Sequence, residues 1–583
     1  MLPLLLACAT HHAPLPAPTD DVLYFAMVDR FADGDLKNNR DVNVQDPLAW
    51  HGGDLDGLRQ HLDHLQALGV RTLWLSPLSL GRATPFNGHG AFHGYWVRDL
   101  GALDPRFGTP RDLRRLRRDL SRRDMRLVLD IVWNHVDYDA PLREQRPEWF
   151  HDEGAIQDWA DPHQRILGGV HGLPDLAQER PEVYAQLWDQ TWRWLDLAQP
   201  DGLRVDAVGH LPMTFLARMN ADLYASQGPD FWILGEQFDG DPRRLQAALS
   251  GADFSAVFDF PLHYAMIDTY CKDASPGRLG VVLSQDRVYG DRLRQAPGSL
   301  VTFLDNHDTS RVMSACHGQL TAVQQALLFQ YSSRGTPSIT WGTEAAQTGA
   351  GEPDNRADLN LAGPQPLAGT LTALAQLRRE HPALTSGLTR ITGLDAGALQ
   401  LWRLHADEIA VVVVNRSDAP AAWGPLPPGR ATGGMLAGPD GLSPWTGDGP
   451  VPAHSTAVRF ILPDAPGGFQ AQVDQQAQTP PRREVSLSVD RSGLADGDQL
   501  LWTGAHPSLG DWNPLAGVYL AQFDESAITV DVGTVLASKL VVLHPDGSTT
   551  WAEGPDSLVF VGPGEGPVRL TLPTPAVGAA GPN

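Results

Sequence analysis

The stretch GLRVDAVGH, residues 202–210, decides the fold. Leu203, Val205, Ala207 and Val208 read as a buried strand that Gly202 opens. Residues two apart on a strand face the same side, so Arg204 and Asp206 share one face. A mostly apolar strand with an Arg and an Asp on one side needs a use for both charges. Gly209 and His210 stand just beyond its end.

Seven further stretches have the same apolar character: VLYFAMVD (22–29), RTLWLSP (71–77), RLVLDIVW (126–133), FWILGE (231–236), AVFDF (256–260), LVTFLDN (300–306) and PSITWG (337–342). Helical patterns lie between them. In LDGLRQHLDHLQALG, residues 55–69, Leu55, Leu58, Leu62 and Leu65 recur three or four apart. PEVYAQLWDQTWRWLDLA, residues 181–198, is opened by Pro181 at its first turn. Eight strands alternating with helices predict an α/β fold, a (β/α)8 TIM barrel over residues 22–383. The connections 30–50 and 136–180 are too long for ordinary βα loops. Loops beyond about 12–15 residues are usually functional, and in this fold they lie on the C-terminal face, where active sites are built. The second, 136–180, is expected to form a small inserted domain B.

After residue 384 the texture changes. Runs such as ALQLWRL and EIAVVVVNR alternate with Gly/Pro turns, which predicts an antiparallel β domain C over 384–462. PDAPGGFQAQVDQQAQTPPRRE, residues 463–484, is polar and rich in Pro, Gly and Gln and reads as a linker. A second β pattern covers 485–575, and 576–583 is a tail.

Composition sets the outer limits. A chain of 583 residues is too long for one core. Its net charge of −24 argues against nucleic acid as a partner, since a phosphate backbone needs a basic field. The 17 Trp residues hint at ring-stacking ligand platforms in addition to core. Lysine stands only at positions 37, 272 and 539, and Cys8, Cys271 and Cys316 allow at most one intramolecular pair. No segment approaches the ~18 continuous apolar residues of a membrane span. MLPLLLAC, followed by a polar, Pro-rich stretch to Asp21, resembles a bacterial lipoprotein signal with Cys8 as the lipidation site. Residues 1–21 are therefore expected to direct the chain outward, as a secreted protein or an envelope lipoprotein. A monomer is expected.

The ends of the predicted barrel strands carry the chemistry. The third ends in DIVWNH, with Asp130, Asn134 and His135; the fourth carries Arg204 and Asp206; the fifth ends at Glu236; the seventh runs into His307 and Asp308. Carboxylates that converge on one rim repel, and need a functional reason. Glycoside hydrolysis with retention supplies it: one carboxylate attacks the anomeric carbon, and a second, kept protonated, serves the leaving oxygen and then water. Arg204 offers the cation that holds the Asp206 carboxylate charged. Glu236 follows the apolar run FWIL, a setting that raises a carboxyl toward a general acid. His135 and His307 can bond sugar hydroxyls.

In order and spacing, DIVWNH (130–135), GLRVDAVGH (202–210), LGEQF (234–238) and FLDNHD (303–308) resemble the four motifs of glycoside hydrolase family 13, the α-amylase family. The resemblance covers residues 22–460. It implies Asp206 as nucleophile, Glu236 as acid/base and Asp308 as the third carboxylate, which distorts and stabilises the reacting sugar. It also implies that Arg204, His135 and His307 touch substrate, together with Tyr95 and His93 of HGYWVRD. DGDLKNN with WHGGD looks like the calcium loop of cyclodextrin glucanotransferases, which implies calcium at Asp33, Asp35, Asn38, Asn39, Gly52 and Asp54. A second calcium site of the family would use Asn134, Asp175 and the carbonyl of His210.

HPSLGDWNPLAGVYL and SKLVVLHPDGSTTWAEGPD resemble a family 20 starch-binding domain, a β-sandwich in which Trp512 and Trp551 would stack on glucose rings and Lys539 would assist. Asp556 stands where that family usually has Asn. Two departures bear on activity. The relatives usually have Lys-His where this chain has Gly209-His210, and the Lys contacts sugar on the leaving-group side. His171 is the nearest counterpart of the central Tyr or Phe of cyclodextrin-forming relatives, which also carry an extra β domain for which there is no room here. The expectation is an α-amylase-type hydrolase of starch and related α-glucans, with a glucanotransferase or a cyclodextrin/maltogenic hydrolase as the alternative.

Overall fold

The computed structural model describes residues 21–395, 397–446, 449–491, 494–520 and 525–575. Cys8 with the expected signal, and the tail 576–583, lie outside the described residues. Eight strands close into a barrel: β1 (Leu23–Ala26), β2 (Thr72–Leu75), β3 (Arg126–Ile131), β4 (Gly202–Val205), β5 (Trp232–Gly235), β6 (Ala256–Phe258), β7 (Leu300–Phe303) and β8 (Thr336–Thr340). They follow one another around the ring in chain order, each parallel to its neighbours, and β8 returns to β1. Every residue of these strands is buried, because helices cover the outside while side chains fill the inside. Seven fall within the stretches read as strands, and β8 begins one residue before PSITWG, at Thr336.

The helices are less regular than their periodicity. Leu55, Leu58, Leu62 and Leu65 are buried as their spacing requires, but the segment forms two helices, Leu55–Gln60 and Leu62–Ala67, broken at His61. The His61 ring bonds the carbonyl of Gly57 at 2.8 Å, and a side chain inserted into the i→i−4 ladder bends a helix. Pro181–Ala198 is one continuous helix with Pro181 at its first position. A third long connection, beyond 30–50 and 136–180, follows β2 and carries an antiparallel hairpin, Ser79–Gly81 with Val97–Leu103. Tyr95 stands at the foot of its second strand.

Beyond the barrel, a six-stranded antiparallel sheet has the order Leu388–Leu394, Ala398–His405, Glu408–Asn415, Ser455–Leu462, Arg430–Gly438, Gly441–Trp445. The segment read as a linker is a packed element. Gln470–Ala477 is helical, and Phe469 and Val473, four apart, pack on Leu404, Ile409 and Ile461 of the sheet. Part of the Gln content that suggested a free chain also faces the sheet: Gln476 donates to the Thr389 carbonyl at 2.7 Å and accepts from Arg390 at 2.9 Å.

The terminal unit has two sheets, Glu525–Asp531/Arg482–Ser488/Val568–Thr571 and a second sheet centred on Gln499–Gly504 and Val535–Leu543. They enclose a core of their own, with Val485, Leu487, Leu500, Trp502, Leu540 and Val542. This unit sits directly against the barrel helix Gly277–Ser284. A Cβ on Gly277 would lie 2.7 Å from Leu558 Cδ1, and one on Gly280 would lie 2.9 Å from Val535 Cγ2, so the bare helix face lets the two bodies touch. On the barrel's flank, Cys271 and Cys316 form a disulfide, 45 residues apart in sequence.

Candidate active site

The barrel's C-terminal rim gathers the residues that the strand ends nominated. Asp130 on β3 and Arg204 on β4 are register partners, so Arg204 begins beside one carboxylate. Its Nη1 donates to Asp130 Oδ1 and Oδ2 at 2.9 and 3.1 Å and to Asp206 Oδ1 at 2.7 Å. Its Nη2 lies 2.6 Å from Glu236 Oε1. One guanidinium, with its side chain 1% exposed, thus joins three carboxyl groups. Burial pulls the Arg204 pKa down, but the surrounding carboxylates outweigh it and the guanidinium is held charged, well above its usual value.

The carboxyl groups are set apart by their environments. Glu236 leaves the end of β5, buried, and burial pushes its pKa up to about 8 against the pull of Arg204. Its Oε2 accepts from the Ala207 N–H at 3.0 Å. Ala207 reaches that position through a left-handed backbone, φ 53°, a conformation few non-glycine residues adopt and one that clusters at functional sites. Asp308 behaves in the opposite way. Burial acts to raise it, yet His307 and Arg356 outweigh burial and lower its pKa; His307 Nε2 and Arg356 Nη2 each lie 3.1 Å from its oxygens. His307 itself is pushed down to about 4 by burial, so near neutrality it is an uncharged donor.

The rings complete the pocket. Tyr95 donates to Asp130 Oδ2 at 2.9 Å and stacks on His307 with centroids 5.2 Å apart and planes 3° from parallel. His93 is stacked with Tyr95 at 5.8 Å and accepts from the Tyr95 N–H. His135 Nε2 bonds the Tyr95 carbonyl at 3.2 Å. Asp206, Glu236, Asp308, Tyr95, His93, His135 and His307 all open into one cleft of about 1020 Å³, while Arg204 lies beneath. The cleft is a charged, aromatic trough in which Asp206 and Glu236 share the Arg204 guanidinium.

Residues 25–363 match the α-amylase catalytic-domain family. The chain belongs to the α-amylase family. It is 31% identical over 418 residues to the β/α-amylase of Paenibacillus polymyxa, covering 68% of this chain and 33% of that protein. It is 29% identical over 458 residues to a cyclomaltodextrin glucanotransferase of Niallia circulans, covering 71% and 62%. The chain thus spans from a third to under two thirds of the length of these relatives. Among solved structures, an Anoxybacillus α-amylase superposes with a TM-score of 0.67 at 30% identity, over 77% of this chain and 99% of that one. A γ-cyclodextrin glucanotransferase of Bacillus clarkii shares the fold over 95% and 98% of the two chains, at 21% identity and a TM-score of 0.65.

Within this family frame, several site residues carry no strand-end signal. Arg356 reaches Asp308 from the loop after β8 and is steadied by Glu352, four residues earlier, at 2.7 Å; His89 holds the same Glu352 oxygen at 2.7 Å. Their only sequence sign is the i, i+4 charge pair. Asp130 was visible in DIVWNH, but its role as the shared partner of Arg204 and Tyr95 emerges from strand register. Gly209 faces two side-chain ends. A Cβ there would stand 3.2 Å from both Arg165 Nη2 and Gln237 Nε2, and Arg165 comes from the inserted segment 136–180. His171 is in that segment too, with its ring 5.7 Å from the exposed Trp159, which also faces His210.

The predicted calcium groups differ in detail. In the first loop, the Oδ1 atoms of Asn38 and Asn39 are buried with no hydrogen-bond partner among the described residues, and Asn39 Nδ2 donates to Asp33 at 2.6 Å. The Asn39 Oδ1 atom also lies 2.8 Å from the Cβ position of Gly52. Asp54 is otherwise employed. Its oxygens accept from the N–H groups of Gly34, Asp35 and Gly57 and from Asn38 Nδ2, so it caps the helix at Leu55 and shapes the loop. In the second group, the Oδ1 atoms of Asn134 and Asp175 are buried without a hydrogen-bond partner among the described residues, and His151 holds the other Asp175 oxygen at 2.7 Å. His210 Nδ1 donates to the Arg165 carbonyl at 2.9 Å, so its ring ties the inserted segment to the barrel. Orphaned carbonyl and carboxylate oxygens are the donor set a hard cation takes.

In the terminal unit, the Trp512 and Trp551 rings have centroids 6.5 Å apart. Lys539 Nζ donates to the Gly554 carbonyl at 2.6 Å and lies 3.6 Å from Asp556. Asp556 also pairs with Arg278 of the barrel at 3.3 Å, which gives the Asn-to-Asp departure a structural use.

Proposed function

We propose that this protein is a retaining hydrolase of α-1,4-glucosidic bonds in starch and related α-glucans. The observation that carries it is the single guanidinium of Arg204 between Asp206 and Glu236, with Glu236 raised to about 8. Asp206 attacks the anomeric carbon while Glu236 gives its proton to the departing glycosidic oxygen, and a glucosyl ester forms on Asp206. Glu236, now a carboxylate, takes a proton from water; that water attacks the same carbon and frees Asp206. Asp308, fixed by His307 and Arg356, and the Tyr95–His307 stack hold the sugar that becomes oxocarbenium-like.

Glucan transfer is the second reading, favoured by the similarity to cyclomaltodextrin glucanotransferases and by the aromatic Trp159 beside His171. It uses the same ester, with a sugar hydroxyl replacing water. Products from soluble starch separate the two: linear maltooligosaccharides support hydrolysis, and cyclic or lengthened chains as the main product overturn it.

Calcium belongs to this reading. Asp33, Asp35, Asn38, Asn39 and the Gly52 carbonyl would hold one ion, with Asp54 ordering the loop; Asn134, Asp175 and the His210 carbonyl would hold a second between the barrel and the inserted segment. Bound there, calcium would fix loops around the cleft by neutralising buried oxygen donors. Trp512, Trp551 and Lys539 would retain starch. Export, as a secreted protein or as a lipoprotein anchored at Cys8, agrees with the Cys271–Cys316 disulfide, since such bonds persist in oxidising compartments.

A further inference from the structure

The barrel and the six-stranded sheet enclose a cavity of about 380 Å³ that shares no residue with the catalytic cleft. Arg403 forms part of its wall. It stands on the strand Ala398–His405 and is only 1% exposed. Thr389, its register partner on the neighbouring strand, accepts from its Nη1 at 2.5 Å. That is its only hydrogen bond among the described residues, and no carboxylate there lies within ion-pair distance of it. Its Nε is buried with no partner. Burial, with the guanidinium groups of Arg378 and Arg334 nearby, pushes the Arg403 pKa down to about 9, and Asp286 acts against them from a distance. Near neutrality Arg403 is thus still a cation, buried and unpaired, which is costly unless an anion joins it.

The carboxylates around the cavity are already engaged. Asp286 is held by Arg334 at 2.5 Å, and Arg334 also pairs with Asp259. Asp291 pairs with Arg294 at 3.1 Å. Arg287 opens onto the same cavity from the turn Gln285–Tyr289. Among the described residues it has no carboxylate partner, and it reaches the Gln478 carbonyl only at 3.5 Å. Four arginines and two aspartates therefore line the space. Two of the four, Arg403 from the sheet and Arg287 from the barrel side, are left without a paired charge. In a chain of net charge −24 this local excess of cations runs against the rest of the molecule.

The donors suit one class of ligand. Guanidinium forks match the oxygens of phosphate-like groups. The Thr389 hydroxyl, which accepts from Arg403, keeps its own proton free to donate. We propose that this cavity is an oxyanion site for phosphate or sulfate, free or esterified to a sugar, whose oxygens are shared by Arg403, Arg287 and the Thr389 hydroxyl. Because these residues come from two bodies, the bound anion pins the six-stranded sheet to the barrel. The site stands apart from the glucan chemistry and does not depend on it.

The test is sulfate binding to the full chain, read by titration calorimetry and by Tm at constant ionic strength made up with chloride. The parent should bind one sulfate per chain, with a Tm rise that saturates. Arg287→Gln, at an exposed position, should weaken sulfate about tenfold, as loss of a charge-assisted contact does. Arg403→Met should remove the binding and, with no buried cation left, melt no lower than the parent in chloride alone. Glucose 6-phosphate, titrated in the same way, tells the two sources apart: tighter binding that Arg403→Met removes assigns the ester, and weaker binding assigns the free ion. If Arg403→Met fails to fold, Arg287→Gln decides alone. No saturable binding by the parent, or equal binding by the parent and Arg287→Gln, would overturn the proposal.

Discussion

Arg204 and Glu236 are joined at 2.6 Å by the guanidinium that also holds Asp206 and Asp130. Glu236 nonetheless keeps its proton up to about pH 8, because burial outweighs that cation. In the proposed mechanism this sets the acid Glu236 beside the nucleophile Asp206, with one arginine fixing both. Loss of the Glu236 proton should define the alkaline limb of the rate profile. The kcat/KM for a maltooligosaccharide is expected to fall above about pH 8. Glu236→Gln should abolish that limb together with most activity. A limb that stays flat well past this pH would contradict the assignment.

The same shift has a consequence for stability. Glu236 has a folded-state pKa of about 8 against a usual 4.5. Between those values the unfolded chain releases the proton while the folded one keeps it, so this group makes the folded state progressively less stable as pH rises through the window. Glu236→Gln, which imitates the protonated form, should therefore raise Tm relative to the parent, and by more at pH 8 than at pH 5. Calorimetry at the two pH values reads the difference; an equal or lower Tm for the variant at pH 8 would count against the raised pKa.

Asp130 is expected to be a positioning residue. It holds Arg204 by two contacts and Tyr95 by one, and touches no reacting atom. Asp130→Asn should lower kcat by roughly 10²-fold, the scale of losing an orienting hydrogen-bond partner, while KM changes little. An unchanged kcat would show that Arg204 needs no help from β3. A purely structural role would lower Tm without moving the split between kcat and KM.

Gly209 is the place to probe specificity on the leaving-group side. A side chain there meets Arg165 and Gln237 at 3.2 Å, and a lysine would place like charge beside the Arg165 guanidinium. Gly209→Lys is expected to raise KM for short maltooligosaccharides severalfold, on the order of 1 kcal/mol. Adding Arg165→Ala should reverse part of the loss. If the double variant is worse than either single one, the two residues do not compete for the same space.

Much of the barrel and of the cluster at its rim was legible in the chain because parallel barrel strands are buried on both faces and read as apolar runs ended by the polar residues that meet there. GLRVDAVGH named both Arg204 and Asp206, and FWILGE named Glu236 together with the apolar setting that raises it. What was not legible depended on register or distant loops. Asp130 gains its role from lying beside Arg204 on the next strand, and Arg356 reaches Asp308 from 48 residues away. The linker was misread for a related reason: composition reports an exposed face, while Phe469 and Val473, which hold that helix to the sheet, are two residues in a polar stretch. Asp54 was read only as a cation ligand, and its part in capping the helix at Leu55 through four amide donors had no sign in the DG and NN pattern.

The central claim is a covalent glycosyl ester on Asp206, and the stereochemistry of the newborn product tests it most directly. Proton NMR during the first minutes of maltooligosaccharide cleavage, before mutarotation, should show the new reducing end as the α anomer. Appearance of the β anomer first would mean a single displacement by water, and would contradict the account of Asp206, Glu236 and the arginine between them.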